Sequence, residues 1–475
     1  MRNGRCATVG LCAFLFISTS GVSAASLQSS PQSRERLHEY LRGALPDDPP
    51  GVAPLVAAPG GPPTVLRERS LNVDYVQVNI DAQGRNIPGD AANEPSIAVD
   101  PTQPGRMAIG WRQFDTTASN FREGGWAYSQ DRGRTWTFPG VLEEGVFRSD
   151  PVLDFDAQGN FYYNSLSFPG GNFRCQVFRS TDGGVTWGPE VDAFGGDKAW
   201  MVIDRTGGLG DGHLYQAWSV FAGCCAGDTF NRSTDGAASF EIPVGVPLMP
   251  VFGTLAVAPG GELYVSGADP NDFSTFLVAR SSSARDPLVT PTFDFTTSID
   301  LGGSLVIGAG PNPAGLLGQP SVAVDPVTNA VYLLGSVDPP GGDPMEVHFV
   351  RSLDGGMTWS APVRVNDDPP GNGAWQWFAT MSVAPNGRID VVWNDTRRLG
   401  LDNRSQLFYA CSTDGGLTWS PNRAMTPVWN SHVGFPNQDK IGDYYDMISD
   451  DVGAHLAFAA TFNGEQDVYY LRIRP

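Results

Sequence analysis

The chain has 475 residues, with 31 Lys+Arg against 51 Asp+Glu and a formal net charge of −20. Phosphate binding needs clustered cations, so this balance excludes a nucleic-acid binder and a protein that docks on anionic membranes. A charged fraction of 17% excludes a disordered or coiled-coil chain, and 57 Gly and 38 Pro beside 12 Trp, 13 Tyr and 26 Phe point to many short strands joined by tight turns.

Arg2 and Arg5 precede the apolar run Val9–Ile17, and Val22-Ser23-Ala24 offers a small-residue cleavage site. Residues 1–24 therefore read as a signal peptide, which implies a secreted or periplasmic protein. The run is too short to cross a bilayer and no later stretch is longer, so no membrane span is expected. Residues 25–70 form an N-terminal segment: Ser33–Arg42 suits one short amphipathic helix, and Pro46–Pro63 is a Pro/Gly-rich linker. Leu71–Ile80 then alternates apolar and polar residues as a strand does.

From there to the C-terminus a unit recurs. It opens on a short apolar strand, seen at Ser96–Asp100, Pro151–Asp156, Trp200–Asp204, Thr254–Ala258, Ser321–Asp325, Thr380–Ala384 and Asp446–Asp450. A Gly- or Pro-bearing turn leads to a second strand, and a third ends near Ser129, Ser180, Ser233, Ser281, Ser352, Ser412 and Arg472. Units of roughly 50–70 residues are the period of propeller blades. The third strand usually runs into Ser-x-Asp-x-Gly-x-Thr-Trp, complete at Ser129–Trp136, Ser180–Trp187, Ser352–Trp359 and Ser412–Trp419 and weakened at Ser233–Phe240. In such a turn the Asp accepts backbone N–H bonds, the Gly supplies a backbone angle other residues avoid, and the Trp packs between sheets. Repetition once per unit suits architecture rather than catalysis. The seventh unit has only three strands, so Leu71–Ile80 is expected to complete it and close the ring. The expected fold is all-β: a seven-bladed β-propeller over residues 71–475.

The signature resembles the Asp-box, or bacterial neuraminidase repeat (BNR), of the sialidase-like propellers, over nearly the whole chain after the linker. Family sialidases are six-bladed, which leaves six blades as the alternative count. The resemblance implies a secreted glycan-acting protein, a retaining exo-glycosidase of the exo-α-sialidase type on acidic sugars. It would use an arginine triad, a Tyr nucleophile assisted by Glu and an Asp acid/base. The family's Arg-Ile-Pro is absent at the start of the first blade, where the chain reads Asn93-Glu94-Pro95-Ser96-Ile97. The alternative is a non-catalytic propeller that binds a glycan or a protein on the same rim.

Topology places function on the rim where the first strands begin and the second-to-third loops lie, opposite the signature turns. The catalytic candidates there are Tyr444 or Tyr445 as nucleophile, Glu94 as its base across the closed ring, and Asp115 as acid/base. Arg112, Arg148 and Arg397 would clamp a carboxylate, and Asp150, Asp197, Lys198, Gln376, Trp377 and Asp443 complete the binding set. No zinc pattern occurs and no cofactor is required, although Glu94, Asp150, Asp197 and Asp443 would suit a hard cation such as calcium. After the signal peptide four cysteines remain, and the loops favour a disulfide from Cys175 to Cys224 or Cys225, with Cys411 a packed thiol.

Overall fold

The computed structural model describes residues 31–43, 65–68, 73–397, 400 and 403–475. The signal peptide and the linker Pro46–Pro63 lie outside them. Seven antiparallel meander sheets follow one another along the chain, spanning residues 91–141, 149–192, 200–233, 251–299, 321–364, 376–424 and 446–473. They are the seven blades of a propeller, numbered here in that order. The third has three strands in place of four.

The seventh blade closes the ring. Its strands Asp446–Asp450, Gly453–Ala460 and Asp467–Ile473 are followed in space by Val73–Gln77, which pairs Tyr75 with Leu471, Val76 with Tyr470 and Gln77 with Tyr469. The expected strand is thus in place, and Val65–Glu68 adds a fifth outside it. A buried core of Tyr75, Leu456, Phe458, Tyr469, Leu471 and Ile473 locks the two chain ends together. Such a closure leaves the ring without a long unpaired edge.

Each blade turns its first strand to the axis. Ile97, Leu153, Met201, Leu255, Val322, Met381 and Met447, one per blade, line an axial cavity of about 540 Å³. The signature turns lie at the far rim and share one geometry. Asp131 Oδ1 accepts from the backbone N–H of Thr135 at 2.9 Å and its Oδ2 from the Thr135 hydroxyl at 2.7 Å. Asp182, Asp354 and Asp414 repeat this, and Asp235 does so with Ser239. Those bonds hold Asp354 and Asp414 down at about 2. The Trp rings also reach the neighbouring blade: Trp136 packs 5.4 Å from Tyr470 and Trp419 5.3 Å from Phe349, centroid to centroid.

The expected disulfide from Cys175 does not form, whereas Cys411 is free as expected. Cys224 and Cys225 are bonded to each other, while Cys175 is a buried free thiol and Cys411 a half-buried one. The reason is the segment Phe194–Gly196, which runs between them. Cys175 contacts Gly196 O at 3.6 Å from one side, and Cys224 N donates to Gly195 O at 3.1 Å from the other. Among the described residues no helix is long and apolar enough to cross a membrane.

Candidate functional site

The rim opposite the signature turns is built from backbone irregularities. The first strands of blades 1, 2, 4 and 6 each open on a register shift, between Asn93 and Ser96, Ser149 and Val152, Phe252 and Leu255, and Trp377 and Thr380. A bulge inserts a residue and re-aims its side chain. At or beside these irregularities stand non-glycines held at positive φ: Glu94 at 51°, Asp150 at 47°, Phe252 at 61° and Phe378 at 59°, with Lys198 at 54° just ahead of blade 3. Non-glycine residues rarely take this conformation, and where it persists the surroundings hold it in place. The result is a mouth with a charged sector over blades 7, 1, 2 and 3 and an aromatic sector over blades 4 and 6.

The charged sector centres on Lys198. Its Nζ lies 3.0 Å from Asp150 Oδ2, 3.0 Å from Asp443 Oδ2, 3.6 Å from Asp197 Oδ1 and 3.7 Å from Glu94 Oε1. Lys440 Nζ donates to Asp443 Oδ2 at 2.6 Å and lies 3.9 Å from Glu94 Oε1. Arg112 Nε stands 3.2 Å from Glu94 Oε2 and donates to Asn93 Oδ1 at 2.8 Å. Arg122 donates from Nε to Ser149 Oγ at 3.1 Å and feels Asp150, Glu94 and Asp197. All eight groups are buried.

The loop that brings Asp443 is pressed against blade 1. Gly442 has φ of 88°, and a Cβ there would lie 2.6 Å from Glu94 Cγ, so only glycine fits. A hairpin of Ile307–Ala309 and Asn312–Leu316 crosses from between blades 4 and 5 to hold this loop. Leu316 N donates to Asp443 Oδ1 and Asn312 Nδ2 to Gly442 O, both at 2.8 Å.

Electrostatics separates the four carboxyls. Burial pushes Glu94 up to about 8 despite Arg112 and Lys198. Burial likewise raises Asp197 to about 7. Burial also opposes the ionisation of Asp150 and Asp443, but Lys198 outweighs it for the first, and Lys440 with Lys198 for the second, and both fall below the usual carboxylate range. The four carboxylates in turn hold Lys198 well above its usual value against burial, whereas burial lowers Lys440 and brings Arg122 down to about 9. Neither Glu94 oxygen accepts a hydrogen bond among the described residues. That suits a protonated carboxyl sharing its O–H with Asp443. Since Glu94 keeps its proton from the usual 4.5 up to about 8, the unfolded chain loses a proton in that window that the folded one retains. The Glu94 contribution therefore falls as pH rises. Glu94→Gln is expected to flatten this slope, so that urea midpoints of variant and parent converge or cross between pH 5 and pH 8; parallel curves would contradict the assignment.

The sequence-predicted residues are divided by this geometry. Glu94, Arg112, Asp150, Asp197, Lys198 and Asp443 come together. Tyr444 is beside them: buried, its hydroxyl donating to Pro151 O at 2.9 Å, and raised first by burial and then by Glu94 and Asp150. Tyr445 is not: its hydroxyl donates to Ala459 O and accepts from Asn394 in the core of blades 6 and 7. Arg148 turns outward to Glu143, Glu190 and Gln176, and Arg397 to Asp367, Asp368 and Asp395, so the expected arginine triad does not assemble. Asp115 is half-buried, and burial and then Glu144 raise it, with no axial partner among the described residues. Gln376 is tied to Asp368 and Asp395, and Trp377 is in the core with Nε1 on Ser405. The four acids considered for calcium do converge, but on the ammonium of Lys198, and the described residues form no group of His, Cys, Asp or Glu suited to a metal ion.

Three participants escaped sequence reasoning. One is Arg122, for which spacing gave no signal. Another is Lys440, and a signal for it existed: Lys198 and Lys440 are the only lysines in the sequence, every other basic side chain apart from histidine being arginine. The third is Tyr40, from the helix Pro31–Gly43, called α1 here. Its hydroxyl donates to Asp197 Oδ2 at 3.2 Å, and its ring faces Lys440 Nζ at 5.0 Å and Lys198 Nζ at 5.7 Å.

No family model matches the chain, and no curated protein matches it in sequence. Solved structures with a similar chain path include a protein of unknown function from Dyadobacter fermentans, at 16% identity and TM-score 0.48 over 87% of this chain and 100% of that one. A sialidase of Trypanosoma rangeli in complex with the inhibitor DANA is similar at 14% identity and TM-score 0.41, over 88% of this chain and 60% of that one. An α-L-arabinofuranosidase of Fusarium graminearum is similar at 12% identity and TM-score 0.41, over 84% and 97%.

Proposed function

We propose that the axial mouth acts on glycans, as a secreted or periplasmic glycoside hydrolase for acidic sugars. The observation that carries this reading is a carboxyl held protonated at neutral pH, Glu94, beside two held ionised, Asp150 and Asp443. Hydrolysis of a glycosidic bond needs such a pair, one acid to protonate the leaving oxygen and one carboxylate to act as base or nucleophile. Each of the two ionised oxygens lies 3.0 Å from the same Lys198 nitrogen, so they are at most twice that distance apart. Glu94 fits the role of proton donor rather than that of a base for tyrosine. Tyr444 remains the candidate should the nucleophile be a phenol, and its hydroxyl would first have to leave Pro151. With Glu94 and Asp197 largely or partly protonated, the four cations outweigh the carboxylates, which favours an anionic ring over a neutral one. The bonded pair Cys224–Cys225 and the signal-peptide pattern support export.

The test is turnover of a panel of fluorogenic uronides, sialosides and neutral glycosides by the parent and by Glu94→Gln, Asp150→Asn, Asp443→Asn and Tyr444→Phe. Loss of general-acid catalysis at Glu94 is expected to lower kcat by about 10²–10⁴. Parent activity is expected to fall as pH rises through about 8. Turnover indifferent to all four changes would remove the mouth from consideration. A second reading is favoured by the pairing already present inside the cluster: a mouth that captures an acidic glycan without cleaving it. Saturable binding with no turnover would select it.

A further inference from the structure

The mouth is not empty of organic matter; the chain fills it with its own tyrosine. Tyr40 is 2% exposed and Leu37 4%, while Arg34, Glu35, Arg36, His38, Glu39 and Arg42 on the other face of α1 are exposed. Tyr40 meets Phe252 edge-on at 5.6 Å, so its ring bridges the aromatic and charged sectors. Leu37 and Tyr40 pack with Phe252, Leu305, Ile307 and Leu316. Besides the Tyr40 hydroxyl on Asp197, polar ties to the propeller among the described residues are Arg36 Nη1 to Ile307 O at 3.5 Å, and Gln438 Nε2 to Gly43 O at 2.5 Å. A helix of 13 residues is marginal alone in water, so α1 depends on this seat for its stability.

We propose that the space filled by Tyr40 is a ligand subsite of the mouth, taking a hydroxylated ring, and that α1 is a built-in occupant that must leave before an outside ligand enters. The subsite offers what such a ring needs. Asp197 accepts its hydroxyl, Lys198 and Lys440 face the ring, and Phe252 flanks it. A sugar ring can answer Asp197 with a hydroxyl and Phe252 with its apolar C–H face, and an anionic group on it would answer the two lysines in place of the aromatic face. That the outside ligand is an acidic sugar rests on the reading above; displacement of α1 does not.

The two lysines make the displacement measurable without any substrate. Lys440 and Lys198 carry the only side-chain amines in the chain, and Lys440, held below its usual value by burial, is the better reporter. Full-length parent, Tyr40→Ala and Leu37→Asp/Tyr40→Ala would be pulsed with N-hydroxysuccinimide acetate and Lys440 acetylation followed by peptide mass spectrometry. Urea unfolding would verify that each variant retains a cooperative fold. Labelling by such a reagent follows the population of the open form, and the double variant is expected to label at least about tenfold faster than the parent, with Tyr40→Ala between them. A synthetic peptide of residues 31–43 is expected to restore protection. Equal labelling in folded parent and double variant, slow or fast, would overturn the proposal: α1 would then not be what closes the mouth. N-acetylneuraminic acid and glucuronic acid added to the opened variant serve as the second arm. Protection of Lys440 by either supports the glycan reading; opening by the variant with no protection by any acidic sugar or glycoside of the panel leaves the subsite standing and overturns that reading.

Discussion

Lys198→Met is expected to destabilise the folded chain by about 3–5 kcal/mol at neutral pH, the usual cost of removing one partner from a buried ionic cluster. The side chain keeps its length and apolar stem, so the loss is one of charge. Four carboxyl oxygens within 3.0–3.7 Å of Nζ would face one another without the ammonium between them. Asp150, now held below the usual carboxylate range chiefly by Lys198, would rise above it, while Asp443 keeps Lys440. The folded value of Asp150 would then exceed its unfolded one. The sign follows: between those values the folded variant holds protons that the unfolded chain releases, so the penalty grows from acid toward neutral pH. Urea midpoints for parent and variant at several pH values measure it. Arginine is not a substitute, because a planar fork cannot present one point charge to four oxygens arranged around it. Adding Asp150→Asn to Lys198→Met should recover part of the loss. An unchanged midpoint at neutral pH would mean that the cluster is solvated, contrary to its burial.

The second large effect concerns ring closure. A chain ending at Gln466 lacks the strand Asp467–Ile473, the central member of blade 7 between Gly453–Ala460 and Val73–Gln77. No cooperative unfolding transition is expected from it, and it should bind apolar dyes, since two strands would lose their partner together and Tyr469, Leu471 and Ile473 would leave the core. Leu471→Ala in the intact chain is the milder form. Leu471 is fully buried, and truncating such a leucine costs about 2–5 kcal/mol. A shortened chain that unfolded as cooperatively as the parent would show that the other six blades stand without the seam.

The architecture was legible because its determinants are local and repeated. A turn chemistry that recurs at Asp131, Asp182, Asp354 and Asp414 counts blades, and a seventh unit one strand short points to the alternating segment around Val73–Gln77. The mouth was half legible. The segments leading into the inner strands, with Glu94, Asp150, Asp197, Lys198 and Asp443, could be placed by topology alone. Which side chain of each segment faces the axis could not. A bulge shifts the two-residue alternation by one, so parity along the chain does not tell Trp377 from Phe378, and Tyr444 and Tyr445 precede their strand, where no alternation holds. Arg148 and Arg397 were misplaced for a related reason. Their long side chains reach acids on the outer strands and loops, Glu190 and Asp367 among them, that no spacing along the sequence reveals. Tyr40 was invisible because it enters from outside the repeat, and Cys224–Cys225 because an intervening segment, not distance along the chain, decides its partner.

The seam of blade 7 also sets a timetable. Val468 N bonds Asn79 Oδ1 across 389 residues of chain. A polypeptide emerging from a ribosome or a translocon therefore carries Val73–Gln77 paired on one side only, to Val65–Glu68, until Asp467–Ile473 is delivered. Contacts so distant in sequence form slowly. Every product that stops short of Asp467–Ile473 is an open ring with two bare sheet edges, the kind of species that aggregates or is degraded. Quality control is thus written into the topology: only a chain synthesised through Ile473 can cover the open side of Val73–Gln77.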